Sequence, residues 1–134
     1  TPGETDGTVK IPIVGTISCG NGVIAFEDVE GLQEIPKEWV KGGTYFFLRA
    51  KGDSMIGARI HDGDLLLIRR QDTVEDGEIA AVLVNDEAFV KRVFFRNGML
   101  ILHSENPNYP PVVYHLNDEN VRIIGKLKKI IIDV

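Results

Sequence analysis

The chain has 134 residues, of which 43% are hydrophobic and 26% charged, and its formal net charge at pH 7 is −5. This length supports one well-packed domain and is too short for two ordinary ones. The acidic balance argues against a surface that grips nucleic acid, because phosphate binding depends on clustered lysine and arginine. The single cysteine cannot form an internal disulfide, and no apolar run approaches the length of a membrane span. We therefore expect a soluble, cytoplasmic protein without a membrane partner.

The first nine residues differ in character from the rest. They are small, polar and acidic, with no apolar side chain before Val9, and this composition predicts a linker or a processed end. Residues 10–134 are then the folded domain. Because the chain starts at Thr1 and not at a methionine, we expect that an N-terminal portion of a larger protein is absent here.

The stretch "GTISCGNGV", residues 15–23, holds the only cysteine, Cys19, followed by Gly20. On its own this stretch favours a strand and a glycine turn with a buried cysteine. Nothing nearby in the sequence completes a metal site or activates the thiol, and His61, His103 and His115 lack metal-ligand spacing. We predict no metal and no cofactor.

After this stretch, β signals dominate. "IPKEWV" predicts a helix of about one and a half turns that starts at Pro36 and stops at Gly42-Gly43. Runs rich in branched and aromatic side chains predict strands, and Asn97-Gly98 predicts a tight two-residue hairpin turn. We expect a mostly-β fold of five to six strands with one or two very short helices. The predicted strands are "TYFFLRA", "DLLLIRR", "EIAAVLV", "EAFVKRVFFR", "MLILH" and the C-terminal run.

Ser54 lies in "KGDSMIGARIHDGD", between a strand ending near Arg49 and the next strand. A serine at such a junction can present its hydroxyl and nearby backbone N–H groups to a cleft, as acyl transfer requires. The spacing to Gly57 does not match the hydrolase nucleophile elbow, and a serine that caps the turn over residues 55–59 is the simpler interpretation. Asp62 and Asp64 are interpreted as turn residues.

Lys91 and Arg92 lie in the middle of an apolar strand, on opposite faces of it. Periodicity alone does not decide which cation points inward. Only lysine can lose its proton, since burial lowers a lysine pKa by up to roughly 3–5 units while arginine stays charged. Lys91 is therefore the candidate general base, and its alternative is to extend along the strand to solvent.

Several segments in order resemble the self-cleaving C-terminal domain of LexA and the lambdoid phage repressors, a Ser-Lys peptidase family shared with UmuD and distantly with signal peptidases. They are "KGDSMIGARIHDGDLLLI", "EAFVKR", "SENPNYPPVV" and "IIGKLKKIII".

The resemblance implies that Ser54 is the nucleophile, Lys91 the general base and Cys19-Gly20 the bond that is cut. Ser54 lies 35 residues after Cys19, and Lys91 lies 37 residues after Ser54, as in the family. Backbone N–H groups near Asp53 and Ser54 would form the oxyanion hole. Two apolar residues before the bond, Val14 and Ile17, would anchor the cleavage loop in the cleft.

The resemblance further implies a function in transcriptional repression. The domain would dimerise through its C-terminal strand region, residues 121–134, and would be cut when a RecA filament on single-stranded DNA stimulates it in the DNA-damage (SOS) response. DNA would be bound only by the missing N-terminal domain of a bacterial or prophage-encoded repressor. Two alternatives stay open: a UmuD-like polymerase accessory factor activated by the same cleavage, and a catalytically silent dimerisation module. A signal-peptidase-type enzyme acting in trans is disfavoured, because no membrane anchor is present in the sequence.

Overall fold

A computed structural model of the chain describes residues 7–20 and 23–132. The chain is mostly β, as predicted, and its helical content within the described residues is two 3₁₀ helices, Lys37–Val40 and Ile56–Ala58. The strands are β1 (Thr8–Gly20), β2 (Val23–Pro36), β3 (Tyr45–Arg49), β4 (Leu65–Arg70), β5 (Ile79–Val84), β6 (Glu87–Arg96), β7 (Met99–His103), β8 (Val112–His115) and β9 (Val121–Ile131).

Within residues 7–20 and 23–132, nine strands form one sheet in the order β2-β1-β3-β4-β9-β5-β6-β7-β8. The expected count of five to six strands is therefore wrong. The six predicted strands are present as β3 to β7 and β9, and the strand favoured within residues 15–23 corresponds to the end of β1, whereas β2 and the four-residue β8 were not predicted. Strand β2 interrupts its alternation of exposed and less exposed residues with a run of four exposed positions, and β8 is short, so neither has the apolar run that identifies a strand.

Two-residue turns set the register of the strands that carry the site. Asn97 and Gly98 have φ values of 50° and 77°, which confirms the predicted hairpin turn between β6 and β7. Asn85 and Asp86, with φ values of 48° and 67°, make a similar turn between β5 and β6. Asparagine, aspartate and glycine are the residues that adopt positive φ most readily, so the turns follow from the sequence.

The β1–β2 hairpin extends beyond the point at which it pairs with the rest of the sheet. β1 runs parallel to β3 only at Ile13 and Val14, and the β1–β2 register shifts at the same place. Beyond this bulge, residues 15–20 and 23–28 form a two-stranded extension, which we call the hairpin arm. The arm is the part of the chain that carries Cys19 and Gly20.

Strand β9 lies inside the sheet and not at an edge. Its residues 121–126 pair with β5, and residues 125–131 pair with β4. Within the described strands, Leu127–Ile131 is thus hydrogen-bonded on one side only. The apolar character of this strand is explained mainly by burial, since Ile123 and Ile124 are in the core.

The core is densest where β3 and β4 meet. Phe46, Phe47, Leu66, Leu67 and Ile68 have no measurable exposure. Strands buried on both faces read as continuous apolar runs, which is why "YFFL" and "LLLI" were recognisable as strands. This rigid pair fixes the loop that follows β3, where Ser54 lies.

Two details at the N-terminal side differ from expectation. β1 begins at Thr8, so the expected linker boundary at residue 9 falls inside this strand, and residues 1–6 lie outside the described residues. Pro36 precedes the first 3₁₀ helix as its N-cap in extended conformation, and is not its first residue. Gly42, with φ of 74°, follows the helix as predicted. No helix of the described chain is long and apolar enough to cross a membrane.

Candidate active site

Ser54 lies in the loop between β3 and β4, two residues before the second 3₁₀ helix. The loop is closed at its base by backbone hydrogen bonds between Ala50 N and Asp64 O (2.8 Å) and between Gly63 N and Ala50 O (2.8 Å). Asp62 accepts a hydrogen bond from Gly52 N at 2.7 Å, and the buried Asp64 accepts one from His61 N at 2.9 Å. These two carboxylates stabilise the turn, as predicted from the sequence.

Lys91 extends from the middle of β6 towards Ser54. Its Nζ lies 2.8 Å from Ser54 Oγ, and both residues are half-buried. Burial lowers the pKa of Lys91 below the ordinary lysine value, because the charged form loses hydration. The structure thus brings together the two residues that the sequence singled out.

Arg92 points away from Ser54. Its guanidinium pairs with the Glu105 carboxylate and donates a hydrogen bond to Gly77 O at 2.6 Å. The choice between the two cations, which strand periodicity left open, therefore goes to Lys91.

Three residues of the segment 104–109 surround the pair, and sequence analysis assigned none of them a role. Lys91 Nζ also lies 2.8 Å from Ser104 Oγ, and Asn106 Nδ2 donates to Asp53 O at 2.9 Å. The hydroxyl of Tyr109 donates to Asp53 Oδ1 at 2.5 Å, which raises the pKa of Tyr109, and its ring centroid is 5.7 Å from Lys91 Nζ. This segment was recognised only as part of the family resemblance.

Gly57 explains how the two loops approach each other so closely. Its N–H donates to Glu105 O at 2.7 Å, and a Cβ at this position would lie only 2.6 Å from the same oxygen. Glycine is required here for close backbone approach and not for an unusual φ angle. The contact holds the loop of Ser54 against the segment of Ser104.

The backbone next to Ser54 has free donors. Within residues 7–20 and 23–132, the N–H groups of Asp53 and Ser54 donate to no protein acceptor. Unpaired N–H groups beside a serine hydroxyl can stabilise the negative charge that develops on a carbonyl oxygen during acyl transfer.

A cleft of about 820 Å³ opens over Ser54 and Lys91. Its walls are largely apolar and include Leu48, Met55 and Phe89. Val14 and Ile17, the expected anchors of the cleavage loop, line the same cleft and are each 2% exposed. An apolar cleft with few polar groups is typical of a site that binds an extended segment or ligand.

Cys19 does not line this cleft. It is half-buried near the tip of the hairpin arm, where its Sγ accepts a hydrogen bond from Arg122 Nη1 at 3.1 Å. Ile17 and Phe26 of the arm pack into or against the main core cluster, with the ring centroids of Phe26 and Phe46 4.5 Å apart. The structure therefore brings Ser54 and Lys91 together but does not bring Cys19 to them.

Metal-ligating side chains do not converge in the part of the chain that the structure describes, since no group of three His, Cys, Asp or Glu residues there could hold an ion. His103 lies with its ring edge-on to Phe94, at a centroid distance of 6.1 Å, and its Nδ1 is buried without a partner among the described residues.

A serine hydroxyl in hydrogen-bond contact with a desolvated lysine is the arrangement of a nucleophile and its general base. Burial lowers the pKa of this lysine, which favours the neutral form that a general base needs. Such a pair can carry out acyl transfer on a carbonyl group that reaches the cleft.

Comparison with known proteins finds relatives that cover most of this chain. LexA repressor 1 of Geobacter sulfurreducens is 42% identical over 93% of this chain and 62% of its own length. The LexA repressors of Oleidesulfovibrio alaskensis and Clostridium perfringens are 43% and 40% identical, each over 89% of this chain and 57% of their own length. The chain thus spans about three fifths of the length of these relatives.

The resemblance seen in the sequence is confirmed by these matches. Residues 12–128 match the family described as Peptidase S24-like. This matched range contains Ser54 and Lys91 as well as Cys19 and Gly20. The chain belongs to the peptidase S24-like family.

Proposed function

We propose that this chain is the self-cleaving domain of a LexA-type transcriptional repressor, and that it cuts its own Cys19-Gly20 bond with a Ser54-Lys91 dyad. The observation that carries the proposal is the 2.8 Å contact between Lys91 Nζ and Ser54 Oγ at the floor of an apolar cleft. The family match and the names of the relatives support the same function.

The reaction follows the chemistry of the dyad. Neutral Lys91 takes the proton of Ser54 Oγ, which attacks the carbonyl carbon of Cys19, and the N–H groups of Asp53 and Ser54 bind the resulting oxyanion. The Lys91 ammonium then gives its proton to the departing nitrogen of Gly20. This step breaks the peptide bond and leaves Cys19 as an ester on Ser54.

Water completes the reaction. Lys91 removes a proton from a water molecule, which adds to the ester carbonyl, and the Ser54 oxygen leaves and regains a proton from Lys91. The products are a new C-terminal carboxylate at Cys19 and a new N-terminal amine at Gly20.

The hairpin arm has to move before this can happen. In the resting arm the Cys19 side chain is held at Arg122 and lies outside the cleft, whereas Val14 and Ile17 already line it. We propose that the arm pivots at the β1–β2 bulge beside Ile13 and Val14. Val14 and Ile17 anchor the arm while the Cys19-Gly20 bond docks over Ser54. Docking of the arm also excludes water from Lys91, and this exclusion couples docking to catalysis.

The wider function is proposed from the relatives. DNA would be bound by a part of the protein outside this chain, in keeping with a net charge of −5, and a RecA filament on single-stranded DNA would stimulate cleavage. A second copy would pair with β9, whose residues Leu127–Ile131 have one free edge within the described sheet.

The test is to incubate the purified chain at pH 7 and near pH 10 and to measure intact masses. We expect cleavage between Cys19 and Gly20 that is faster at the higher pH and absent in Ser54→Ala and in Lys91→Ala. Lys41→Ala, which removes an exposed lysine outside the cleft and outside β9, serves as the matched control and should cleave normally. Cleavage by Ser54→Ala at the wild-type rate, or at another bond, would refute the proposal.

Two further measurements address the partners. Adding RecA filaments at pH 7 should raise the cleavage rate, and sedimentation equilibrium should give twice the monomer mass. A monomeric mass at tens of micromolar would contradict dimerisation through this domain.

A further inference from the structure

Ser104 lies just past the end of β7, across from Lys91 of β6. It follows β7 by one residue, and the β6–β7 register, in which Arg92 pairs with His103, continues to place Ser104 across from Lys91. Residues opposite each other in an antiparallel pair share a face and lie close together. The Ser104 side chain is therefore aimed at the lysine by the strand pairing itself.

The Lys91 amine sits between two hydroxyl groups. Its Nζ is 2.8 Å from Ser54 Oγ and 2.8 Å from Ser104 Oγ. Ser104 is 5% exposed, so its hydroxyl is withdrawn from solvent and directed to the amine. A buried hydroxyl in this place can restrict the direction in which the amine lone pair points.

A neutral lysine has two N–H donors and one lone pair, and it works as a base towards Ser54 only when the lone pair points at the Ser54 proton. If Ser104 Oγ accepts one N–H, rotation about the last bond of the side chain is restricted and the lone pair is turned towards Ser54. A lysine side chain is otherwise flexible, so this second contact reduces the number of unproductive orientations.

The position of Ser104 is fixed by its neighbours. Glu105 O accepts the Gly57 N–H at 2.7 Å, and Asn106 Nδ2 donates to Asp53 O at 2.9 Å. Both contacts join the Ser104 segment to the loop of Ser54, on either side of the nucleophile. The Ser104 segment and the loop of Ser54 are thus held together by one backbone–backbone and one side chain–backbone hydrogen bond.

We propose that Ser104 is a positioning residue for the self-cleavage reaction: its hydroxyl orients the Lys91 amine so that the lone pair faces Ser54. The inference rests on the proposed function of the dyad and adds a third residue to it. It also predicts that Ser104 stabilises the ammonium form, because its oxygen accepts a hydrogen bond from the charged group.

The test compares variants by their first-order self-cleavage rate between pH 6 and pH 11. Ser104→Ala should lower the rate at the high-pH plateau by roughly 10- to 100-fold, as expected for a misplaced catalytic group. Its acid limb should move to lower pH, because the ammonium loses an acceptor. Thr73→Ala, which removes an exposed hydroxyl outside the cleft, should leave both plateau and midpoint unchanged.

Ser104→Thr and Ser104→Val form a second, shape-matched pair that differs only in the hydroxyl. The Thr variant should cleave faster than the Val variant, and this holds even if Ala at this buried position disturbs folding. Lysine-selective ¹³C NMR in a Ser54→Ala background gives an independent readout. There the pKa of Lys91 should fall when Ser104 is replaced by Val and stay near the parent value with Thr.

Equal plateaus and equal midpoints for the Thr and Val variants would overturn the inference while leaving the dyad intact. Normal cleavage by Lys91→Ala would instead overturn the proposed function, whatever Ser104 does. The two failures are therefore distinguishable.

Discussion

The contact between Gly57 and Glu105 offers a sharp test of how the site is assembled. In Gly57→Ala the new Cβ would lie 2.6 Å from Glu105 O, and real Cβ atoms essentially never approach within 3.0 Å of another heavy atom. The two segments must therefore separate by at least 0.4 Å. Because the nearest atom is a backbone oxygen and not the end of a flexible side chain, the shift involves the backbone of the Ser104 segment.

The magnitude follows from two contributions. Overpacking of this kind typically costs about 1–3 kcal/mol, and weakening the Gly57–Glu105 hydrogen bond costs about 0.5–1.5 kcal/mol more. We expect the free energy of unfolding to fall by about 1.5–4.5 kcal/mol. Since Glu105 lies between Ser104 and Asn106, the shift also displaces groups that contact Lys91 and the loop of Ser54. The cleavage rate should fall by roughly 10- to 100-fold.

The assay combines urea unfolding in a Ser54→Ala background, where no cleavage interferes, with the self-cleavage rate near pH 10 in the active chain. Gly31→Ala is the matched control, because a Cβ there meets nothing within 4 Å and the φ angle is ordinary. If Gly57→Ala cleaves within about twofold of the wild type and unfolds like Gly31→Ala, the two loops do not depend on close contact, and the reasoning fails.

Three further predictions concern separate features. The cleavage rate should rise with pH through a midpoint below 10.5, because burial lowers the pKa of Lys91 and the neutral amine is the active form. A pH–rate profile measures this midpoint. A midpoint at or above 10.5 contradicts the prediction. Cys19→Ala should cleave at least as fast as the wild type by intact mass, since the thiol takes no chemical part, and a large loss of rate would assign it one. Phe46→Ala should lower the unfolding free energy by about 3–5 kcal/mol in urea, because the ring is fully buried, and a loss below about 1 kcal/mol would be inconsistent with that burial.

Much of the fold could be predicted because local chemistry determines it. The buried strands β3 and β4 are recognisable as continuous apolar runs. The turn between β6 and β7 requires positive φ at both of its residues, and Asn97 and Gly98 adopt positive φ readily. The β1–β2 hairpin is predicted only in part. The stretch around Cys19 favours a strand and a glycine turn, but the pairing of β1 with β3 at Ile13 and Val14 is a long-range contact that the local sequence does not determine.

The residues of the candidate site also differ in how far the sequence predicts them. Ser54 and Lys91 are candidates from their own sequence context, since lysine chemistry favours Lys91 over Arg92 where periodicity does not, and the resemblance then implies their roles. Ser104 was missed, although a signal for it was present in the sequence. Arg96 pairs with Met99 across the two-residue turn, and counting five residues back along each strand places Ser104 opposite Lys91. A tight turn fixes the register of its strands, so it identifies cross-strand partners as well as the hairpin.

Under the proposed mechanism, the resting place of the hairpin arm sets the rate of cleavage more than the dyad does. Ser54 and Lys91 are already in contact at rest, whereas Ile17 is 2% exposed and Cys19 is held at Arg122. The observed rate is then the intrinsic rate multiplied by the fraction of arms that are docked, and each 1.4 kcal/mol that favours the resting arm lowers it about tenfold. A stimulating partner needs to supply no catalytic group. It accelerates cleavage only to the extent that it binds the docked arm more tightly than the resting one.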